Sequence, residues 1–266
     1  MPDFRGSQKH VLDLLDSADY PAPLQPLLAP HGITVSALDA HRPIGGAAPQ
    51  EWELPRFCRT YCSGWIVEAP GDADVWDSML TAWWLRHREP RRGKLPTWDL
   101  ISTCQIKTRK GLPLVEAKAH ETELSAKGKT IKASATDRSK DNHEQIALCI
   151  KRARKAMRQH VDDRISISVQ RHYQLSNRLT WAWRLAEHEL HVALLYLGFV
   201  GDFNIGTDYF RDADHWQRTM GAYMSSVVPV GLPGRLVEVP GGGSLILLVE
   251  SLPIIAVSAP AKPPAA

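Results

Sequence analysis

The chain has 266 residues, 44% of them hydrophobic, which is enough for one substantial core with extensions. A net charge of +3 does not by itself mark a nucleic-acid binder, and the absence of any run of about 18 apolar residues argues against a membrane span. The N-terminal MPDFRGSQKH lacks the apolar segment of a secretory signal, and four scattered cysteines, Cys58, Cys62, Cys104 and Cys149, make no disulfide framework, so a cytoplasmic protein with free thiols is expected.

In chain order, Val11, Leu12, Leu14 and Leu15 predict a short amphipathic helix. Pro21, Pro23, Pro26 and Pro30 then interrupt any regular pattern, and Gly45-Gly46 marks a joint. A helix is predicted from an Asp72 N-cap to about Arg88, with Val75, Trp76, Met79, Leu80, Trp83 and Trp84 at helical spacing, a stripe read as packing.

The next stretch, Trp98 to His120, carries two β-prone runs around a predicted turn at Thr108-Arg109-Lys110-Gly111, with Asp99, Glu116 and Lys118 set among apolar residues. Residues two apart share a face of a pleated strand, so Glu116 and Lys118 project together. With the turn centred on Arg109 and Lys110, partner numbers sum to about 219, which sets Asp99 opposite His120, diagonal to Lys118 and on the same face. A bulge at Pro113 would slip the register by one residue and turn Asp99 away. Two carboxylates and an ammonium on one face suit a hard divalent cation, Mg²⁺ or Mn²⁺, and phosphodiester hydrolysis.

Beyond it, residues 121 to 140 read as a basic loop. Asp141 with Glu144 predicts a capping box for a helix buried through Ile146, Cys149, Ile150, Ala153 and Met157 and basic elsewhere. From Gln105 to His160 there are fourteen Lys or Arg against six Asp or Glu, so the basic excess sits around the three charges. A second helix, about His172 to Glu187, opens with Tyr173, Gln174, Asn177 and Arg178 and leads into the apolar run His191 to Val200. That run is expected to be a buried strand parallel to the Glu116 strand. A helix over Asp208 to Met224 and a hairpin of Arg235 to Val239 with Ser244 to Val249 follow. His143-Glu144 lacks the second histidine of a zinc protease, since Ala147 stands in its place, and no P-loop, dinucleotide fingerprint or nucleophile elbow occurs.

Asp99, a sixteen-residue gap and Glu116-Ala117-Lys118 after Leu112, Leu114 and Val115 resemble the signature of the PD-(D/E)xK nuclease superfamily, although Trp98 stands where a proline is usual. The resemblance covers roughly residues 65 to 205. It implies an α/β fold with a restriction endonuclease-like α-β-β-β-α-β core, a mixed central sheet flanked by helices, and N- and C-terminal extensions. Residues 1–50 would be a partly irregular extension, 51–257 a single nuclease-like domain and 258–266 a disordered tail. The implied activity is cleavage of nucleic acid, DNA in preference to RNA, with Mg²⁺ or Mn²⁺ held by Asp99 and Glu116 and the attacking water positioned by Lys118. Gln145, Gln174, Asn177 and Arg178 are the expected secondary or substrate-binding residues. An acidic residue of the leading helix, Asp74 or Asp77, or else Glu68, could add to the metal shell, and a homodimer is allowed. The alternatives are a non-catalytic binding module on the same scaffold and a structural subunit of a defence or repair complex.

Overall fold

Every residue of His191–Val200 is buried, and a strand apolar throughout is stable only where both of its faces are covered. In the computed structural model, which describes residues 4–65, 73–88 and 94–254, this strand lies inside a mixed eight-stranded sheet. In chain order the strands are β1 (Ile33–Thr34), β2 (His41–Arg42), β3 (Leu100–Ser102), β4 (Cys104–Ile106), β5 (Arg109–Lys118), β6 (His191–Val200), β7 (Leu236–Glu238) and β8 (Ser244–Pro253). The order across the sheet is β1-β4-β5-β6-β8-β7, with β2 on β3 and β3 on β5. β5 with β6 and β6 with β8 are parallel, and the remaining pairs are antiparallel. The α/β class and the expected parallel pairing of the two long strands are therefore present.

The helices are α1 (Gly6–Asp16), α2 (Gln25–Leu28), α3 (Leu54–Tyr61), α4 (Ala73–Trp76, continued by a π-helical turn over Asp77–Ala82), α5 (Asp137–His160), α6 (Tyr173–Ala186) and α7 (Ala213–Met224). None among the described residues is long and apolar enough to cross a membrane. Alternation along the strands makes two cores. Leu112 and Leu114 of β5 and Val192, Leu194 and Tyr196 of β6 join Ile146, Cys149 and Ile150 of α5, Leu175 and Leu179 of α6, and Trp216 and Met220 of α7. Val115, Ala117, Leu195 and Leu197 face the other way, where Val11, Leu14 and Leu15 of α1 cover them together with Leu24, Leu28 and Ile33. Each such leucine or valine contributes about 1.5–3 kcal/mol by leaving water.

The tryptophan stripe is packing, as its period implies: Trp83 meets Trp181 of α6 edge to face and Trp84 meets it at a tilt, at centroid distances of 5.3 and 5.4 Å. All four cysteines are free and buried. The Asp72 cap, Glu68 and the C-terminal tail lie outside the described residues, as does the side chain of Asp74.

Three local expectations are corrected. The hairpin turns at Lys107-Thr108, not at Thr108 to Gly111, because Lys107 takes a left-handed conformation (φ 56°) and Arg109 already pairs with Ile106. Partner numbers consequently sum to 215, as in Leu100 with Val115, and the sum is the same on both sides of Pro113. Pro113 thus inserts no bulge. It lies where the ladder passes from β4 to β3, where its lacking N–H removes no strand bond, and Thr103 there donates to the Ala40 carbonyl. Secondly, α5 starts at Asp137, four residues before the expected capping box, because Thr136 accepts a hydrogen bond from the Ser139 amide, while Asp141 binds His87. Thirdly, the helix expected from Asp208 begins at Ala213, where Asp212 accepts from the His215 amide.

Candidate active site

The register of 215 brings Asp99 to the position flanking Glu116 instead of His120. Asp99 lies in the bend just before β3, and its Oδ2 accepts the Ala117 amide at 2.7 Å, so a side chain supplies the acceptor where the ladder stops. Glu116 and Lys118 point together to the face covered by α6, as a two-residue spacing requires, and are only 2% and 4% exposed.

Buried ions persist only when paired and hydrogen-bonded, and here the partners are specific. Lys118 Nζ and Gln174 Nε2 donate to Glu116 Oε1 at 2.5 and 2.6 Å. Arg178 Nε donates to Glu116 Oε2 at 2.5 Å, and Arg178 Nη2 donates to the Thr97 carbonyl at 2.8 Å. The guanidinium also lies 4.4 Å from the Trp98 ring centroid. Gln174 and Arg178 are one helical turn apart in the first half of α6, which lets both reach one carboxylate.

These surroundings divide the two acids. Burial raises the Asp99 carboxyl, the Glu116 charge adds to that, and the outcome is a pKa pushed up to about 8 despite Lys118, with Glu51 contributing further in the same direction. Burial acts upward on Glu116 as well, but Arg178 and Lys118 overcome it and hold that carboxyl below its ordinary value. One acid thus holds its proton while its neighbour stays charged.

The structure brings together Asp99, Glu116, Lys118, Gln174 and Arg178. Asn177 is buried beside them in sequence, but its amide reaches the Tyr173 hydroxyl at 3.4 Å. Gln145 serves a different contact: its Nε2 donates to the Trp83 carbonyl at 2.7 Å and its Oε1 accepts from Arg86, tying α5 to the tryptophan helix. Asp77 forms ion pairs with Arg59 and Arg88. Sequence reasoning missed Glu51, Thr97, Trp98 and Tyr196. Tyr196 is the register partner of Glu116, fully enclosed, with its hydroxyl lacking a partner among the described residues. Its one signal was a hydroxyl-bearing ring inside a largely apolar strand.

No family model, curated protein or solved structure matches this chain. The chemistry of the site therefore rests on its own donors. Among the described residues no group of three or more His, Cys, Asp or Glu is placed to hold a metal. The carboxylate oxygens with capacity left are the Asp99 oxygen that Ala117 does not use and Glu116 Oε2, which accepts from Arg178 alone; hard oxygen donors of this kind are the sort a divalent cation takes. A second cation would lack protein ligands among them.

Proposed function

We propose that this chain is a divalent-metal-dependent nuclease of PD-(D/E)xK type on a restriction endonuclease-like core, hydrolysing phosphodiester bonds of DNA. The observation that supports the reading best is the convergence of Asp99, Glu116 and Lys118 on one sheet face in a register set by the hairpin itself. Asp99 and Glu116 would hold Mg²⁺ or Mn²⁺, which would supply Lewis-acid stabilisation of the phosphate and lower the pKa of a water. Arg178 and Gln174 fix the Glu116 carboxylate in one orientation. Lys118, held at 2.5 Å from Glu116, offsets charge at the scissile phosphate and orients the attacking water. Of the two, Asp99 holds its proton the more tightly and would have to release it to serve as a cation ligand.

A second reading, a non-catalytic module with a structural charge cluster, is favoured by the near-complete burial of Glu116 and by its three donors. Incubation of plasmid, linear DNA and RNA with Mg²⁺ or Mn²⁺ separates the two. The nuclease reading expects cleavage that EDTA stops and that Asp99→Asn and Lys118→Ala each reduce by at least a hundredfold. Cleavage that survives both substitutions overturns the mechanism, and folded wild-type protein that cuts no substrate supports the module.

A further inference from the structure

The last sixteen residues of α5, Gln145 to His160, contain no Asp or Glu, yet carry Lys151, Arg152, Arg154, Lys155 and Arg158. At 100° per residue these five fan over the side opposite the buried stripe of Ile146, Cys149, Ile150, Ala153 and Met157. None of the five forms an ion pair with a described carboxylate, whereas the acids of the helix, Asp137, Asp141 and Glu144, all lie in its first half. Helix polarity explains only part of this, because the favourable field for cations fades within the last turn and so covers Arg158 but not Lys151 or Arg152. The spacings 151/155, 154/158 and 151/154 place like charges on adjacent turns, which destabilises a helix whose charges no described carboxylate neutralises.

We infer that this face of α5 docks the phosphate backbone of duplex nucleic acid independently of sequence. The choice of a nucleic acid among polyanions rests on the nuclease reading above; the surface itself does not involve the Glu116 cluster. The apolar stripe of α5 is spent in the core, so the helix has no apolar face to insert into lipid. The one large apolar side chain among these cations, Leu148, is half-buried and aliphatic, so the face offers none of the aromatic stacking platforms that single strands use. The cationic surface continues towards α6. A hollow of about 220 Å³ between α5 and residues 167–170 has Lys151, Arg154, Ser168 and Gln170 at its polar part and an apolar remainder that includes Leu148 and Val169. Lys129 donates its amide to Val169 and sets its ammonium 5.1 Å from the centroid of the Tyr173 ring, next to Gln174. Backbone docked along this face leads to the α6 turn that carries Gln174 and Arg178.

The test is fluorescence anisotropy of a 24-base-pair duplex with the full chain in EDTA, between 50 and 200 mM NaCl. Five neutralised phosphates give a slope of log K against log salt of about −4.5, and Lys151→Gln/Arg154→Gln/Arg158→Gln lowers its magnitude to about 2. The same variant binds at least tenfold more weakly at 50 mM, with its urea midpoint no lower than that of the wild type. Lys107→Gln/Arg218→Gln, two exposed cations elsewhere, keeps the wild-type slope. An unchanged slope in the triple variant overturns the proposal. So does tighter binding of a single strand, or binding to phosphatidylserine vesicles in place of the duplex. Docking through α5 without any cleavage in Mg²⁺ supports the surface and refutes the nuclease, and cleavage unaffected by the triple variant does the reverse.

Discussion

The charge cluster at Glu116 makes a quantitative demand on stability. Arg178→Met leaves a 2%-exposed carboxylate with Lys118 and Gln174 as its remaining partners, and breaking a buried pair from one side costs about 3–5 kcal/mol. The Thr97 carbonyl loses its donor, about 1 kcal/mol, and the Trp98 face loses its cation, about 1 kcal/mol. Because Lys118 persists, the lower end of the pair cost applies, and the expected total is about 5 kcal/mol. Glu116→Gln strands the Arg178 guanidinium instead and costs about 3 kcal/mol. The double variant Glu116→Gln/Arg178→Met strands neither, so its cost falls short of the sum by about 2 kcal/mol. Urea unfolding at pH 7 in EDTA, fitted over a full cycle of four proteins, measures all three. An Arg178→Met loss under about 1 kcal/mol, or additivity within about 0.5 kcal/mol, refutes the account of Glu116 as an ion held by the fold.

Three further outcomes follow from the same geometry. The Asp99 carboxyl, at about 8 in the fold against 3.8 ordinarily, binds more protons folded than unfolded, so its contribution declines as pH rises from about 4 to 8, by at most about 1.4 kcal/mol per unit. Asp99→Asn, whose amide oxygen still accepts from Ala117, should gain on wild type as pH rises from 6.5 to 8 in EDTA; a constant difference in urea midpoint over that range contradicts this assignment. His188 behaves oppositely. Burial, and then Arg184, lowers it to about 4, so the unfolded chain binds the extra proton between 4 and 6.5, stability is lost on acidification, and His188→Leu flattens that limb of a pH–Tm profile. Finally, a Cβ on Gly198 would lie 2.4 Å from the Trp216 ring, so Gly198→Ala overpacks the α7 contact and lowers stability by about 1–3 kcal/mol in thermal unfolding.

Periodicity made the long elements legible. The continuous apolar run of β6, the α5 stripe and the α6 face are where the sequence puts them, because burial of many side chains sets them together. Boundaries decided by one residue were not legible. Lys107 in a left-handed turn moved the hairpin by two residues, and Thr136 captured the start of α5 from Asp141. At the site, the i,i+4 spacing of Gln174 and Arg178 and the two-residue spacing of Glu116 and Lys118 carried the sequence reading. Gln145 obeys the same helical arithmetic but turns to Trp83, which no local pattern reveals. Glu51 and Thr97 come to the cluster from irregular segments, whose course is fixed by tertiary contacts such as the Thr97 hydroxyl donating to Glu51 at 2.7 Å.

The layer on the second sheet face has a consequence for synthesis. Val11, Leu14 and Leu15 leave the ribosome well before Leu195, Leu197, Ile246 and Leu248, which they cover. The bond of His10 to Asp202, at 2.7 Å, closes a loop of 192 residues. Helix α1 must therefore wait with its apolar side bare until β6 and β8 have emerged, and closing so long a loop makes this contact a late one. A nascent chain stalled before β8 exposes both that helix and a strand edge of β6, the kinds of surface through which partly made chains associate.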